Sequence, residues 1–175
     1  MTEQMTHDQA GCAPMAAVVE AHKKLDPFAG RFRAEVRLWM GPGDPMVSTG
    51  LMTSSWDLGG RFLQQVYKGD PNPGPFPNFE GRGFWGYNTV TKKYEGFWID
   101  NASTFMQNEV GTLDASGKVW TMIGEMADPQ QSGRTMKKKS VIRLKDQDHH
   151  SLEMFFTGPD GKEAKAMEIQ YARAK

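Results

Sequence analysis

The chain has little cysteine, no net charge and no long apolar run. Cys12 is the single cysteine among 175 residues, so no internal disulfide can form, and a lone free thiol is typical of a reducing compartment. Lysine plus arginine and aspartate plus glutamate each total 21, and this balance argues against nucleic acid or an anionic membrane as a partner. No segment is long and apolar enough to span a membrane, and the first residues lack the apolar core of a signal peptide. We therefore predict a cytoplasmic protein with neither a nucleic-acid nor a membrane partner.

Recognisable catalytic and metal-binding motifs are also missing. The sequence has no G-x-S-x-G, no phosphate-binding loop, no H-E-x-x-H and no C-x-x-C. The glycines of Gly81–Gly86 match G-x-G-x-x-G in spacing, but a dinucleotide fingerprint must open a helix, whereas Phe84 and Trp85 continue a strand pattern. The histidines are scattered, and His149-His150 is predicted to lie in a solvated turn. We predict no metal and no cofactor, and the sequence favours a protein that is not an enzyme.

Glycine, aromatic residues and strict alternation are what the chain does have. Nineteen glycines and 10 prolines suit many turns, and apolar and polar residues alternate in short runs between turn signals. Ten such runs are predicted strands: Arg31–Trp39, Val47–Trp56, Arg61–Lys68, Phe79–Tyr87, Tyr94–Asp100, Thr104–Thr112, Lys118–Met126, Arg134–Leu144, Ser151–Thr157 and Lys162–Tyr171. So long a meander needs closure to remove its edges. We predict an all-β, ten-stranded antiparallel up-and-down β-barrel.

One helix is predicted, near the N-terminus. Residues 1–13 have the composition of a disordered leader, and residues 14–175 are predicted to form a single barrel domain. Met15, Val18, Val19, His22 and Leu25 share one face at helical spacing, so we predict an amphipathic helix over Pro14–Leu25 that closes one end of the barrel. On that face, His22 is predicted to be a partly buried residue that holds the helix on the barrel.

Candidate functional residues are the polar side chains that share a strand face with large aromatics. Trp98 and Asp100 share one face, and we predict that this face, rather than the alternate one, points into the barrel. A carboxylate on an apolar face must be exposed at a strand end or paired with a base inside. Asp100 and Glu125 are such carboxylates, and Arg82 and Arg61 are their predicted partners. The pairing could be structural, or it could anchor a ligand in an aromatic-lined cavity.

Two further segments have simple structural interpretations. In Lys137-Lys138-Lys139, alternation sends neighbouring residues to opposite faces, so a solvated strand or edge protection is predicted. The proline-rich segment from Gly69 to Asn78 is predicted to be a loop at the barrel rim or part of a functional site.

Several motifs resemble a bacterial family of proteins of unknown function. They are His22-x-x-Leu25, Gly30-x-Phe32, Leu58-Gly-Gly-Arg61-Phe-Leu63, Phe79-Glu-Gly-Arg-Gly83, Trp98-Ile-Asp100, Gly124-Glu125, Asp160-Gly-Lys-Glu163 and Glu168-Ile-x-Tyr171-x-Arg173. The resemblance covers residues 14–174. It implies a calycin relative, a barrel allied to lipocalins, fatty-acid-binding proteins and nitrobindins.

The resemblance implies a fold and no activity. Gly30-Arg31-Phe32 stands where lipocalin-like proteins usually have Gly-x-Trp, so the base of the barrel departs from the usual pattern. Nitrobindin-like haem binding would need a histidine on the last strand, and Lys162–Tyr171 contains none. Haem coordination of that kind is therefore not expected.

Three functions remain open on the sequence. The first is binding of a small apolar or amphiphilic molecule in the barrel, with Arg61, Arg82, Trp98, Asp100 and Glu125 as candidate ligand-binding residues. The second is an enzyme that uses Asp100 or Glu125 as a general acid or base. The third is an interaction module whose barrel is filled by its own side chains. A homodimer is compatible with each of them.

Overall fold

In the computed structural model of the protein, which describes residues 13–128, 131–158 and 161–175, ten antiparallel strands form one closed barrel. The strands are β1 Gly30–Leu38, β2 Met46–Asp57, β3 Phe62–Gly69, β4 Glu80–Asn88, β5 Lys93–Asp100, β6 Gln107–Leu113, β7 Val119–Ala127, β8 Thr135–Leu144, β9 His149–Thr157 and β10 Glu163–Arg173. Each strand pairs with its neighbours in sequence, and β1 pairs with β10. The predicted fold class is confirmed.

Alternation along the strands separates an inner from an outer wall. Phe32 of β1 lies opposite Met52 of β2 and Arg173 of β10, and Phe32 is fully buried whereas Arg31 and Arg33 are exposed. The side chains of directly opposed residues point to the same side of a sheet. The strand pairing therefore shows which residues of each of the ten strands point inward.

The segment before β1 forms two separate helical turns instead of the single helix predicted over Pro14–Leu25. Helix α1 spans Ala13–Ala16 and α2 spans Glu20–Lys23, and a 3₁₀ turn follows at Asp26–Phe28. Val19 is extended, with φ −115° and ψ 171°. It follows Val18, and β-branched residues such as valine disfavour a helix. The predicted disordered leader lies, apart from Ala13, outside the described residues.

This segment closes one end of the barrel, which we call the helix end. Leu25 and Phe28 are buried against Leu63, Trp85 and Trp120. The hydroxyl of Tyr94 donates a hydrogen bond to the Ala21 carbonyl oxygen (3.0 Å). Because so much aromatic surface is removed from water there, the helix end is filled by its own side chains.

Two histidines of the helix end are buried. His22 is 3% exposed and accepts a hydrogen bond from the Val19 amide at Nδ1 (3.1 Å), which confirms its predicted structural role. His150 is 6% exposed and lies in β9, so its predicted place in a solvated turn was wrong. The strand begins at His149, and alternation then turns His150 inward. None of the described helices is long and apolar enough to cross a membrane.

Candidate functional site

The interior at the opposite end of the barrel, which we call the far end, is less completely buried than the helix end. The loops between β1 and β2, β3 and β4, and β5 and β6 lie at this end. Apolar side chains that point inward here are half-buried and not fully buried: Val36, Leu38, Trp98, Met126, Met136, Met154, Phe156 and Met167. Inward-facing side chains of a closed, filled barrel would be buried. Of the half-buried side chains, Val36, Trp98 and Met167 pack against a second cluster of buried residues, around Phe32 and Tyr67. The far end therefore exposes part of its inner wall to solvent.

Trp98 lies on the inner wall of the far end in a position that two glycines make possible. Gly83 lies opposite Trp98 across the β4–β5 pairing. A β-carbon built on Gly81 would lie 2.1 Å from Cζ2 of Trp98, and one built on Gly83 would lie 2.8 Å from Cε3. The benzene ring of the indole therefore rests directly on the inner wall of β4. The predicted inward orientation of Trp98 and Asp100 is confirmed.

Asp100, at the end of β5, accepts hydrogen bonds from several neutral groups. Oδ2 accepts from Trp98 Nε1 (3.1 Å) and, in a longer contact, from Gln107 Nε2 (3.5 Å). Oδ1 accepts from the Ala102 amide and the Ser103 hydroxyl, both at 3.1 Å. The turn after β5 thus fixes the carboxylate against the indole.

A buried lysine extends the polar network across the interior. Lys138 is 4% exposed, and its Nζ lies 2.7 Å from Gln107 Oε1 and 3.3 Å from Glu109 Oε1. Glu109 also accepts a hydrogen bond from the hydroxyl of Ser140, which is 1% exposed. Strands β5, β6 and β8 therefore supply one connected chain of polar groups that runs from Trp98 to Ser140.

Three of the predicted ligand-binding residues lie away from this interior. Arg82 and Glu125 are exposed on the outer wall, where Glu125 accepts a hydrogen bond from Thr135, so their predicted pairing inside the barrel was wrong. Arg61 lies at the helix end and donates hydrogen bonds to the carbonyl oxygens of Ala16 and Leu58. The inner faces of β4 and β7 hold Trp85 and Met122, and the alternate faces, which hold Arg82 and Glu125, are left to solvent.

The sequence contained a signal for Lys138 that its interpretation as part of a solvated strand missed. Met136, Lys138, Ser140 and Ile142 share one face by alternation, and Ile142 is buried against the helix-end core. A lysine in phase with buried residues must itself be buried and needs an acidic partner. That partner, Glu109, comes from β6, which is not a neighbour of β8 in the sheet.

A concavity lies on the outer wall. This groove of about 420 Å³ is lined by residues that include Arg33, Thr49, Lys145, Asp146 and Gln170. Its charged groups already have partners, since Lys145 donates to Gln170 and Asp146 contacts His149. We therefore take the interior, and not this groove, as the candidate site. The described part of the chain contains no cluster of three histidine, cysteine, aspartate or glutamate side chains suited to a metal ion.

Two solved structures are similar to this chain over about nine-tenths of its length. Among solved structures, Rv2717c from M. tuberculosis is 14% identical with a TM-score of 0.64, and the alignment covers 91% of this chain and 100% of that one. A de novo designed fluorescence-activating β-barrel is 13% identical with a TM-score of 0.46, and covers 90% of this chain and 100% of its own. At such identities the likeness to Rv2717c shows the fold alone. No curated protein matches the sequence.

The family described as "Protein of unknown function (DUF1579)" matches residues 18–173, which include α2, the 3₁₀ turn and all ten strands. The chain therefore belongs to the DUF1579 family.

Proposed function

We propose that the protein binds a small amphiphilic molecule inside the far end of the barrel. The observation that supports this most directly is the half-exposed state of the inward-facing apolar side chains there, in a barrel whose helix end is fully packed. An apolar cavity with a few fixed polar groups is the usual form of a small-molecule site.

The far end has one surface suited to the apolar part of such a ligand and another suited to its polar part. Trp98, Phe156 and the inward-facing methionines supply an apolar and deformable wall, because methionine adapts its shape to what it contacts. Asp100 and Gln107 supply hydrogen-bonding groups at the mouth of the far end. A ligand with an apolar body and a polar head satisfies both.

Contact quenching of tryptophan fluorescence tests the proposal. Terminally brominated decanol quenches an indole only when bromine touches it, so titration into the protein should quench emission saturably. Trp98→Phe should remove most of that quenching. Trp39→Phe is the matched control, because Trp39 lies at the outer wall near Lys165 (6.0 Å from ring centre to Nζ), and it should leave the quenching in place.

Two results would count against the proposal. If brominated alcohols of several chain lengths cause no saturable quenching, the barrel is a filled interaction module. If quenching saturates equally in the Trp98→Phe variant, the molecule binds elsewhere on the protein.

A further inference from the structure

We infer that the far-end site selects amphiphiles with a cationic head, such as an alkylammonium, over fatty acids of the same length. This inference rests on the proposed function and names the class of ligand. It follows from the charges inside the far end, their pairing and the position of the indole.

The first step is the count of charges. Within the ten strands, the charged side chains on the inner wall of the far end are Asp100, Glu109 and Lys138. Two carboxylates and one ammonium leave this part of the inner wall with one uncompensated negative charge. A carboxylate that is partly shielded from water attracts a cation more strongly than one in open solution.

The second step is that the positive charge of Lys138 is already paired. Lys138 is 4% exposed, and its Nζ is engaged by Glu109 (3.3 Å) and Gln107 (2.7 Å). A fatty-acid carboxylate would have to displace Glu109 from this ion pair and leave it as an unpaired charge, which is costly. The network therefore does not offer a free cation to an anionic head.

The third step is that the negative charge remains available. Each hydrogen bond to Asp100 comes from a neutral donor: an indole, a backbone amide, a hydroxyl and a side-chain amide. Asp100 is half-buried at the far end of β5, so an incoming head group can reach it. An ammonium group would form the ion pair that Asp100 lacks among the described residues.

The fourth step is the aromatic ring beside it. The indole of Trp98 is held against Gly81 and Gly83 on one side and bonded to Asp100 at Nε1. Tryptophan is the strongest aromatic partner of an organic cation. A fixed indole next to a carboxylate forms one surface that recognises an ammonium head, whereas a carboxylate head would be repelled by it.

Three ligands of equal chain length test the inference on the full chain: decylamine, decanol and decanoate, each below its micelle concentration. Calorimetric titration should give decylamine a Kd at least about tenfold lower than that of decanoate, with decanol between them. Asp100→Asn should remove most of the preference for the amine over decanoate. Glu95→Gln, an exposed carboxylate on the outer face of the same strand, is the control and should keep the preference.

The outcomes separate the two proposals. If decanol does not bind, the proposed function fails. If decanol binds and decanoate binds as tightly as decylamine, ligand binding stands and the charge selection is overturned. The comparison in the wild-type protein decides this even if Asp100→Asn does not fold, and an Asp100→Asn variant that folds and keeps the full preference would also overturn it.

Discussion

At the scale of single residues, the buried lysine is the most informative feature of the molecule. Lys138 and Glu109 are 4% and 17% exposed at their side chains and form an ion pair inside the barrel. Desolvating two charges costs more than the pair usually returns, so the pair adds little net stability. Removing one partner is different, because the other charge then stays in place without compensation.

Lys138→Ala should therefore lower the free energy of unfolding by about 3 kcal/mol, toward the low end for a broken buried pair because Glu109 keeps some contact with solvent. Lys137→Ala, the exposed neighbour on the outer wall, should change it by less than about 0.5 kcal/mol. Urea unfolding followed by circular dichroism measures both. Equal midpoints for the two variants would mean that Lys138 is solvated.

A second substitution distinguishes an uncompensated charge from lost packing. In Lys138→Met combined with Glu109→Gln, both charges are absent and the hydroxyl of Ser140 still has an acceptor. This double variant should recover most of the stability that Lys138→Ala loses.

At the scale of elements, β4 acts as a platform for its neighbour. Trp85 on its inner face packs into the helix-end core, while Gly81 and Gly83 leave room for Trp98 of β5. The inner face of this strand thus has a large side chain at the helix end and none at the far end. The position of the indole is determined by the strand beside it.

Gly81→Ala should displace Trp98, since the new methyl carbon would lie 2.1 Å from its ring, and it should destabilise the protein by about 1–3 kcal/mol. It should also weaken the quenching by brominated decanol and shift the tryptophan emission. Gly96→Ala is the matched control on the inner face of β5, because its added carbon meets nothing closer than 3.9 Å. If Gly81→Ala behaves like Gly96→Ala, the glycine platform does not hold Trp98.

At the scale of the whole molecule, His150 lies where the closing segment meets the barrel. Its ring stacks on Tyr171 of β10 (4.4 Å between centroids) and meets the edges of Phe28 and Phe32 (4.9 and 4.6 Å). Nδ1 is buried without a hydrogen-bond partner among the described residues. Burial, with a smaller contribution from nearby Arg173, lowers the pKa of His150 from 6.5 to about 3.

This pKa makes global stability depend on pH. The unfolded chain binds a proton at His150 below pH 6.5, whereas the folded chain does not bind one until about pH 3. The free energy of unfolding is therefore highest above pH 6.5, where His150 is neutral in both states, and it falls as the pH drops. The slope should reach about 1.4 kcal/mol per pH unit. His150→Phe should flatten it between pH 6.5 and about pH 5, above the range in which most carboxylates titrate.

Urea unfolding at several pH values measures this slope. His149→Gln is the control, because His149 is exposed beside Asp146, and it should keep the wild-type slope. A slope that is the same in the His150→Phe variant would mean that other groups cause the acid sensitivity.

The sequence by itself determined the ten strands, their alternation and the closed barrel. These follow from local properties, because turn residues and a period of two act over a few positions, and a long meander removes its exposed edges only by closure. It also determined that Trp98 and Asp100 share a face and that His22 lies on the buried side of its helical turn. The valines at 18 and 19, which interrupt the helix, were visible in the sequence but were outweighed there by helical spacing.

Only the tertiary structure decided which face of β4 and β7 points inward and which charges meet. Alternation fixes which residues share a face, but both faces of β4 and β7 contain apolar residues, so neither pattern excluded an inward Arg82 or Glu125. The inward choice depends on partners from distant parts of the chain: Gly81 and Gly83 make room for Trp98, and Glu109 neutralises Lys138. Packing and charge compensation across the barrel act between residues that the sequence keeps far apart, and they exist only once the barrel is closed.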